Sequence, residues 1–188
     1  MCSSDLLLRH PYNCGLAAAR NTAFSAARSD WCFVLDADNI LAQDAVKNCL
    51  KIASECKSNI AVVYPLVGLR DEQRSPRQPD GTLLTRIAWQ KDQFLRGNLI
   101  DAMALIRKSA WECVGGYTHI PGGWEDFDFW CKLIEAGFGG VLCPQKLAIY
   151  NRHQTSMQAT QTIRSLRGLK RIMMKRHPWL RLEDEIVT

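Results

Sequence analysis

Three observations predict an α/β domain built on a mostly parallel sheet flanked by helices. Short runs at 31–35 and 60–64 have the length and the β-branched or aromatic content of buried strands. Segments at 16–28 and 42–56 carry apolar residues at the three- and four-residue spacing of helices. Strand, helix and strand in alternation is the pattern of parallel βαβ units. A length of 188 residues suits one such domain with a core of its own.

Taken in order, 6–8 is a short apolar run with strand content that ends at Arg9-His10-Pro11. Asn13-Cys14-Gly15 supplies turn chemistry, and the helix 16–28 then places Leu16, Ala19, Ala23 and Ala27 on one stripe. The strand 31–35 follows. The helix 42–56 has Ala45, Val46, Cys49, Leu50 and Ala53 on one face, and 60–64 is the next strand. Residues 66–97 are charged, contain Pro76, Pro79 and the turn pair Asp80-Gly81, and read as a long surface excursion. A strand over 99–106 and a short helix over 108–114, ended by Gly115-Gly116, come next. The helix 126–136 groups Phe127, Trp130, Cys131 and Ile134 and stops at Gly137. Short strands are expected at 141–143 and 148–150. A basic helix over 161–175 closes the pattern, with Ile163, Leu166, Leu169, Ile172 and Met173 as its apolar stripe. Residues 1–157 thus read as the main domain and 158–188 as a basic helical tail.

Composition narrows the classes. No apolar run reaches the roughly 20 residues that span a bilayer, and no charged n-region leads into an h-region, so a soluble, cytoplasmic protein is expected. The eight cysteines form no C-x-x-C pair, and several fall inside apolar segments, which points to buried free thiols rather than zinc or a disulfide framework. The net charge of +5 is concentrated in Arg164, Arg167, Lys170, Arg171, Lys175 and Arg176, a patch that favours anionic partners but also fits a solvated helix face. It lacks interleaved aromatics, so nucleic acid is not expected.

Asp36 and Asp38 end the first strand two positions apart, so on extended backbone both project to one side. Two hard oxygen ligands at the carboxyl end of a strand suit Mg²⁺ or Mn²⁺, where open α/β sheets place their ligands. Taken alone, the pair also fits an acidic turn. Glu125, Asp126 and Asp128 follow a Pro-Gly-Gly loop at a helix start, where capping alone favours acids. Trp124, Phe127, Phe129 and Trp130 interleave with them, and such surfaces stack on sugars, exclude water and raise a carboxyl pKa as a general base requires. His153, preceded by Arg152, could add a nitrogen ligand or a donor to a phosphate.

The order of five motifs resembles family 2 of the glycosyltransferases, with the GT-A (Rossmann-like) fold. They are Asn13-x-Gly15-x-x-x-Ala19-Arg20-Asn21, Leu35-Asp36-Ala37-Asp38, Gly115-Gly116-Tyr117, Glu125-Asp126-x-Asp128-x-Trp130 and Tyr150-x-Arg152-His153-x-x-Ser156-Met157. The resemblance covers roughly 6–157. It implies an inverting, metal-dependent transfer from a UDP- or GDP-linked sugar to a hydroxyl of a glycan or a lipid-linked acceptor. On these residues it implies a divalent metal (Mn²⁺ or Mg²⁺) at Asp36, Asp38 and His153, with Asp38 the more direct ligand. Asp126 matches the catalytic base, with Glu125 beside it. Asn13, Gly15, Arg20, Asp36 and Arg152 match the donor and nucleotide side, and Trp124 and Trp130 are expected to shape the sugar pocket.

The family normally opens with a strand, a helix and a second strand that read the nucleotide base, and only about a dozen residues precede Asn13 here. A chain lacking the first βαβ unit, with an uncovered sheet edge, is therefore expected. Two alternatives follow: a catalytically incomplete remnant that binds carbohydrate or nucleotide, and a peripheral module held on the inner, anionic membrane face by the tail helix.

Overall fold

The central strand is β3 (Ile60–Asp71), and its sequence explains its place. Ala61, Val62, Val63 and Tyr64 are fully buried, as a strand covered on both faces requires. The structure, a computed structural model, describes residues 6–71, 83–85, 87–152 and 165–182. Around β3 stand β1 (Trp31–Phe33), β2 (Ile40–Leu41), β4 (Leu83–Thr85), β5 (Leu105–Arg107) and β6 (Gly139–Arg152). The helices are α1 (Leu16–Ala26), α2 (Ala45–Glu55), α3 (Lys91–Phe94), α4 (Lys108–Cys113), α5 (Glu125–Glu135) and α6 (Leu166–Arg176).

The strand order is β1-β5-β3-β6-β2, with β4 beside the far end of β3. The helix-flanked α/β class holds, while the sheet is mixed. β1, β3 and β6 share a direction, but β5 enters antiparallel between β1 and β3, so β3–β6 is the one parallel neighbouring pair among the described strands. The reversal has a local cause. Residues 99–104, expected as strand, instead run irregularly across the end of the sheet, and only then does β5 turn back along β1, pairing Phe33 with Leu105.

Alternation along the strands divides the core. Val62, Tyr64 and Ile106 face the larger cluster with Phe24, Phe127, Trp130 and Met173. Val63 and Leu105 face the opposite cluster with Ala45, Cys49 and Ala53 of α2. The first of these faces carries α1, α4, α5 and α6, and the second carries α2.

Several elements differ in detail from expectation. Residues 6–8 form no strand, and Leu6 and Leu7 are exposed. On α1 the buried face is Ala17, Arg20 and Phe24, one position off the alanine stripe, because an arginine sits on the inward side. The expected strands at 141–143 and 148–150 are one strand, β6. Pro65 pairs with Cys143 but Leu66 pairs with Lys146, so Pro144 and Gln145 bulge out of the ladder and hide the continuity. Within 66–97, β3 runs on to Asp71, and β4 and α3 supply order.

The apolar side of α6 is used inside the fold: Leu169 and Met173 are buried, and Leu180 and Leu182 beyond the helix join the same core as α5. A lipid surface would therefore meet the cationic side of α6. Cys49, Cys131 and Cys143 are buried free thiols, as the composition suggested.

Candidate active site

A cleft of about 590 Å³ opens at the end of the sheet where β1, β3 and β6 finish. Its walls hold Asp36, Asp38, Asp101, Glu125 and Asp126, with Arg20 as the one cation among the described lining residues. The two acidic motifs of the sequence thus share one space.

Asp36 and Asp38 follow β1 in a turn closed by the Asn39 N–H on the Asp36 carbonyl at 3.1 Å. The turn is clamped to β6: Asn151 Nδ2 donates to the Asp38 carbonyl at 2.6 Å, and Asn39 Oδ1 accepts the Asn151 N–H at 3.0 Å. Arg20, buried on α1, donates from Nη2 to Asp36 Oδ1 at 2.8 Å. Its guanidinium also lies 5.4 Å from the Tyr117 ring centroid, and its Nε has no hydrogen-bond partner among the described residues.

Asp126 stands in the first turn of α5. Its Oδ1 accepts the Phe127 N–H at 2.8 Å and its Oδ2 accepts Asn98 Nδ2 at 2.7 Å. Burial pushes its pKa above the ordinary carboxylate range, with Asp36 adding to the rise, while Arg20, Phe127 N–H and Asn98 pull it down. Burial likewise raises Glu125, whose Oε1 lies 3.6 Å from His119 Nδ1. Asp101 is pushed up to about 7, first by burial and then by the charges of Asp126 and Asp36. Three carboxyls raised by burial thus gather in one cleft, an arrangement that makes it the candidate active site.

The loop before α5 is strained in a way that places these groups. Trp124 caps the helix with φ 69°, ψ 21°, a left-handed conformation that a bulky side chain seldom adopts. Gly122 and Gly123 also have positive φ, and a Cβ on Gly122 would lie 2.9 Å from Ser165 Cβ at the start of α6. The Pro-Gly-Gly run is thus what lets the loop press against α6 and deliver Glu125 and Asp126 to the cleft.

Of the candidate site residues, Arg20, Asp36, Asp38, Trp124, Glu125 and Asp126 line the cleft. Trp130 does not. It is fully buried, donates from Nε1 to the Ile100 carbonyl at 3.1 Å and packs edge-on against Trp89, so its period-driven inward position outweighs the expected sugar contact. Asn13 and Gly15 line a separate shallow groove with Leu6–Leu8, where Asn13 Oδ1 accepts the Gly15 N–H at 2.9 Å. Arg152 is exposed at the end of β6, and His153 lies outside the described residues. Tyr150, first residue of the fifth motif, also lines the cleft, as do Asn98 and Asp101, which belong to no motif. Tyr150 is placed by β6, while the positions of Asn98 and Asp101 depend on the irregular 98–104 segment, which has no sequence period. Thr85 helps fix it, its Oγ1 accepting the Asp101 N–H at 3.0 Å.

A divalent cation suits this donor set. No group of three metal-binding side chains occurs among the described residues. Two aspartates at an acid-rich cleft are nevertheless what Mg²⁺ or Mn²⁺ needs when waters and substrate phosphates complete the shell.

The family model described as Glycosyl transferase family 2 matches residues 6–115, and the chain belongs to that family. Chondroitin synthase and hyaluronan synthase of Pasteurella multocida are each 31% identical over 130 residues, 66% of this chain and 12% of theirs. The pre-mycofactocin glycosyltransferase of Mycobacterium tuberculosis is 28% identical over 137 residues, 70% of this chain and 29% of its own. The chain therefore spans only a minor part of these relatives' length.

In fold it is similar to mannosyltransferase PcManGT from Pyrobaculum calidifontis, solved with GDP-Man and Mn²⁺. That likeness has a TM-score of 0.56 at 16% identity and covers 82% of this chain and 41% of that one. Residues 1–349 of S. aureus TarS, solved with UDP-GlcNAc, give a TM-score of 0.56 at 11% identity, covering 85% and 47%. The fold is that of GT-A glycosyltransferases.

Proposed function

We propose that this domain transfers a sugar from a nucleoside-diphosphate donor, UDP- or GDP-linked, to an acceptor hydroxyl with inversion, Asp126 acting as general base. The observation that carries the reading is the meeting, in one cleft, of the Asp36–Asp38 turn with the shifted carboxyl of Asp126. Asp126 takes the proton of an acceptor hydroxyl, and that oxygen attacks the anomeric carbon from the face opposite the leaving diphosphate. Inversion follows from a single displacement, and no protein nucleophile is required.

Asp36 and Asp38 would hold a divalent metal together with the donor diphosphate. Bound there, Mn²⁺ or Mg²⁺ supplies Lewis-acid stabilisation of charge on the departing phosphate. Arg20 orients Asp36 through its 2.8 Å bond. The Trp124 indole, on the cleft wall, offers a stacking face for a sugar and excludes water. Glu125 tunes the local field beside the base.

No helix of the described residues is long and apolar enough to cross a membrane. The proposal includes cytoplasmic work on a glycan or on a lipid-linked acceptor. In the second case exposed Arg167, Arg171 and Lys175, four residues apart on α6, would face the anionic inner leaflet.

The test is turnover of a panel of UDP- and GDP-sugars with Mn²⁺, read as nucleoside diphosphate released on acceptor glycosylation. Asp126→Asn is expected to lower kcat by about 10²- to 10⁴-fold with donor binding retained. Full activity in that variant would reject the assignment.

A further inference from the structure

We propose that Asn98 is a positioning residue for the reaction, its amide fixing both the orientation and the charge state of the Asp126 carboxylate. The inference rests on the reading of Asp126 as base and deepens it.

Asn98 lies on the segment leading to β5, and it and Asp126 both line the cleft. Its Nδ2 donates to Asp126 Oδ2 at 2.7 Å, while its Oδ1 accepts the Ile100 N–H at 3.3 Å. With its oxygen occupied by an N–H, the amide turns its NH₂ group toward the acid, so the contact is a donation and not two acceptors in opposition. The other Asp126 oxygen is held by the Phe127 N–H at 2.8 Å. Two separate elements, α5 and the 98–101 segment, therefore grip one carboxylate, one at each oxygen. Rotation of the carboxylate would break both bonds. Each oxygen still has a second lone pair, so the grip leaves basic positions available to the cleft.

The groups around Asp126 pull in two directions. Arg20 of α1 favours the anion, whereas Asp36 after β1 opposes it. Asp101 from Asn98's own segment, Glu125 on α5 and the Tyr117 phenol also face its charge. Among these neighbours Asn98 donates a hydrogen bond without bringing a charge. It offsets part of the effect of burial, which raises Asp126, and so favours the base form. A carboxylate at position 98 would have the same shape with no donor.

The experiment is a ¹³C NMR titration of aspartate carboxyls in the full chain, with Asp126 assigned by its loss in Asp126→Asn. Asn98→Ala is expected to move the Asp126 midpoint up by about 1 pH unit, since a hydrogen bond to a charged group is lost. Asn98→Asp, of the same shape, should move it further, and it serves as the second variant if the alanine form does not fold. In transfer assays kcat should fall by up to about tenfold for Asn98→Ala on the acid side of the Asp126 midpoint, recovering toward high pH, with KM for the donor little changed. An Asp126 midpoint that stays put in a folded Asn98 variant overturns the inference. Failure of the underlying reading looks different: Asp126→Asn would itself retain transfer.

Discussion

Asp128→Asn is expected to cost the fold about 3 kcal/mol. The Asp128 carboxylate is fully buried, and it accepts Arg176 Nε at 2.5 Å, Arg176 Nη2 at 3.2 Å and His177 Nε2 at 3.0 Å, with Lys132 Nζ 3.8 Å away. This cluster fastens α6 and the residues after it to α5. Removing one side of a buried ion pair costs about 3–5 kcal/mol, because the remaining charges lose their partner without regaining water. Arg176 is 36% exposed and recovers part of its hydration, which sets the cost near the lower bound. Against a typical total of about 5–15 kcal/mol such a loss is plain in urea unfolding, as a lower midpoint at unchanged slope. Trp179 fluorescence reports it locally, since its Nε1 donates to Glu135 Oε1 at 2.7 Å in the same cluster. A loss under about 1 kcal/mol would mean that the desolvated carboxylate does not hold α6 in place.

The cluster also gives a pH dependence with a defined sign. Burial opposes charge on Asp128 but His177, Arg176 and Lys132 outweigh it, leaving the carboxyl below its ordinary range. Its stabilisation is therefore present above about pH 4, the unfolded value, and is lost as pH falls through the lower folded value. Burial lowers His177, yet Asp128 and Glu135 raise it overall. That contribution is complete below about pH 6.5 and fades as pH rises through the raised folded value.

Two further substitutions test the cleft. Asp101→Asn should stabilise the protein by about 1–2 kcal/mol at pH 8 and not at pH 3, because a carboxyl raised to about 7 opposes folding only once ionised; thermal melts at both pH values check it. Trp124→Gly should relieve about 1 kcal/mol of left-handed backbone strain but give up the edge-on packing of the indole on Phe127, so chemical denaturation should show no net stabilisation, while donor or acceptor binding weakens because the indole forms part of the cleft wall.

Much of this arrangement was legible in the sequence where a local pattern and a chemical one coincide. The apolar run into Asp36 and Asp38 is short, β-rich and ends in charge, so the strand and its acidic turn were both readable. The Pro-Gly-Gly loop, the acids and Gly137 likewise marked α5; the Gly137 N–H meets the Ile134 carbonyl at 3.1 Å as a helix stop should. What escaped depends on distant contacts. Arg20 faces inward because Asp36, sixteen positions away, pairs with it, and an alanine count pointed to the neighbouring stripe. Asn98 and Asp101 sit in a segment with no period, fixed by Thr85 and by Asp126. The acidic neighbours of Trp130 point to the pocket, whereas its helical position turns it to the core.

Calorimetric titration of UDP and GDP, with Mn²⁺ and with EDTA, tests for a metal-assisted donor site facing Asp126. Binding of at least one nucleotide is expected to require Mn²⁺, to be lost in Asp38→Ala and to survive in Asp126→Asn. Binding that is indifferent to both Mn²⁺ and Asp38, or no binding by the folded protein, would contradict it.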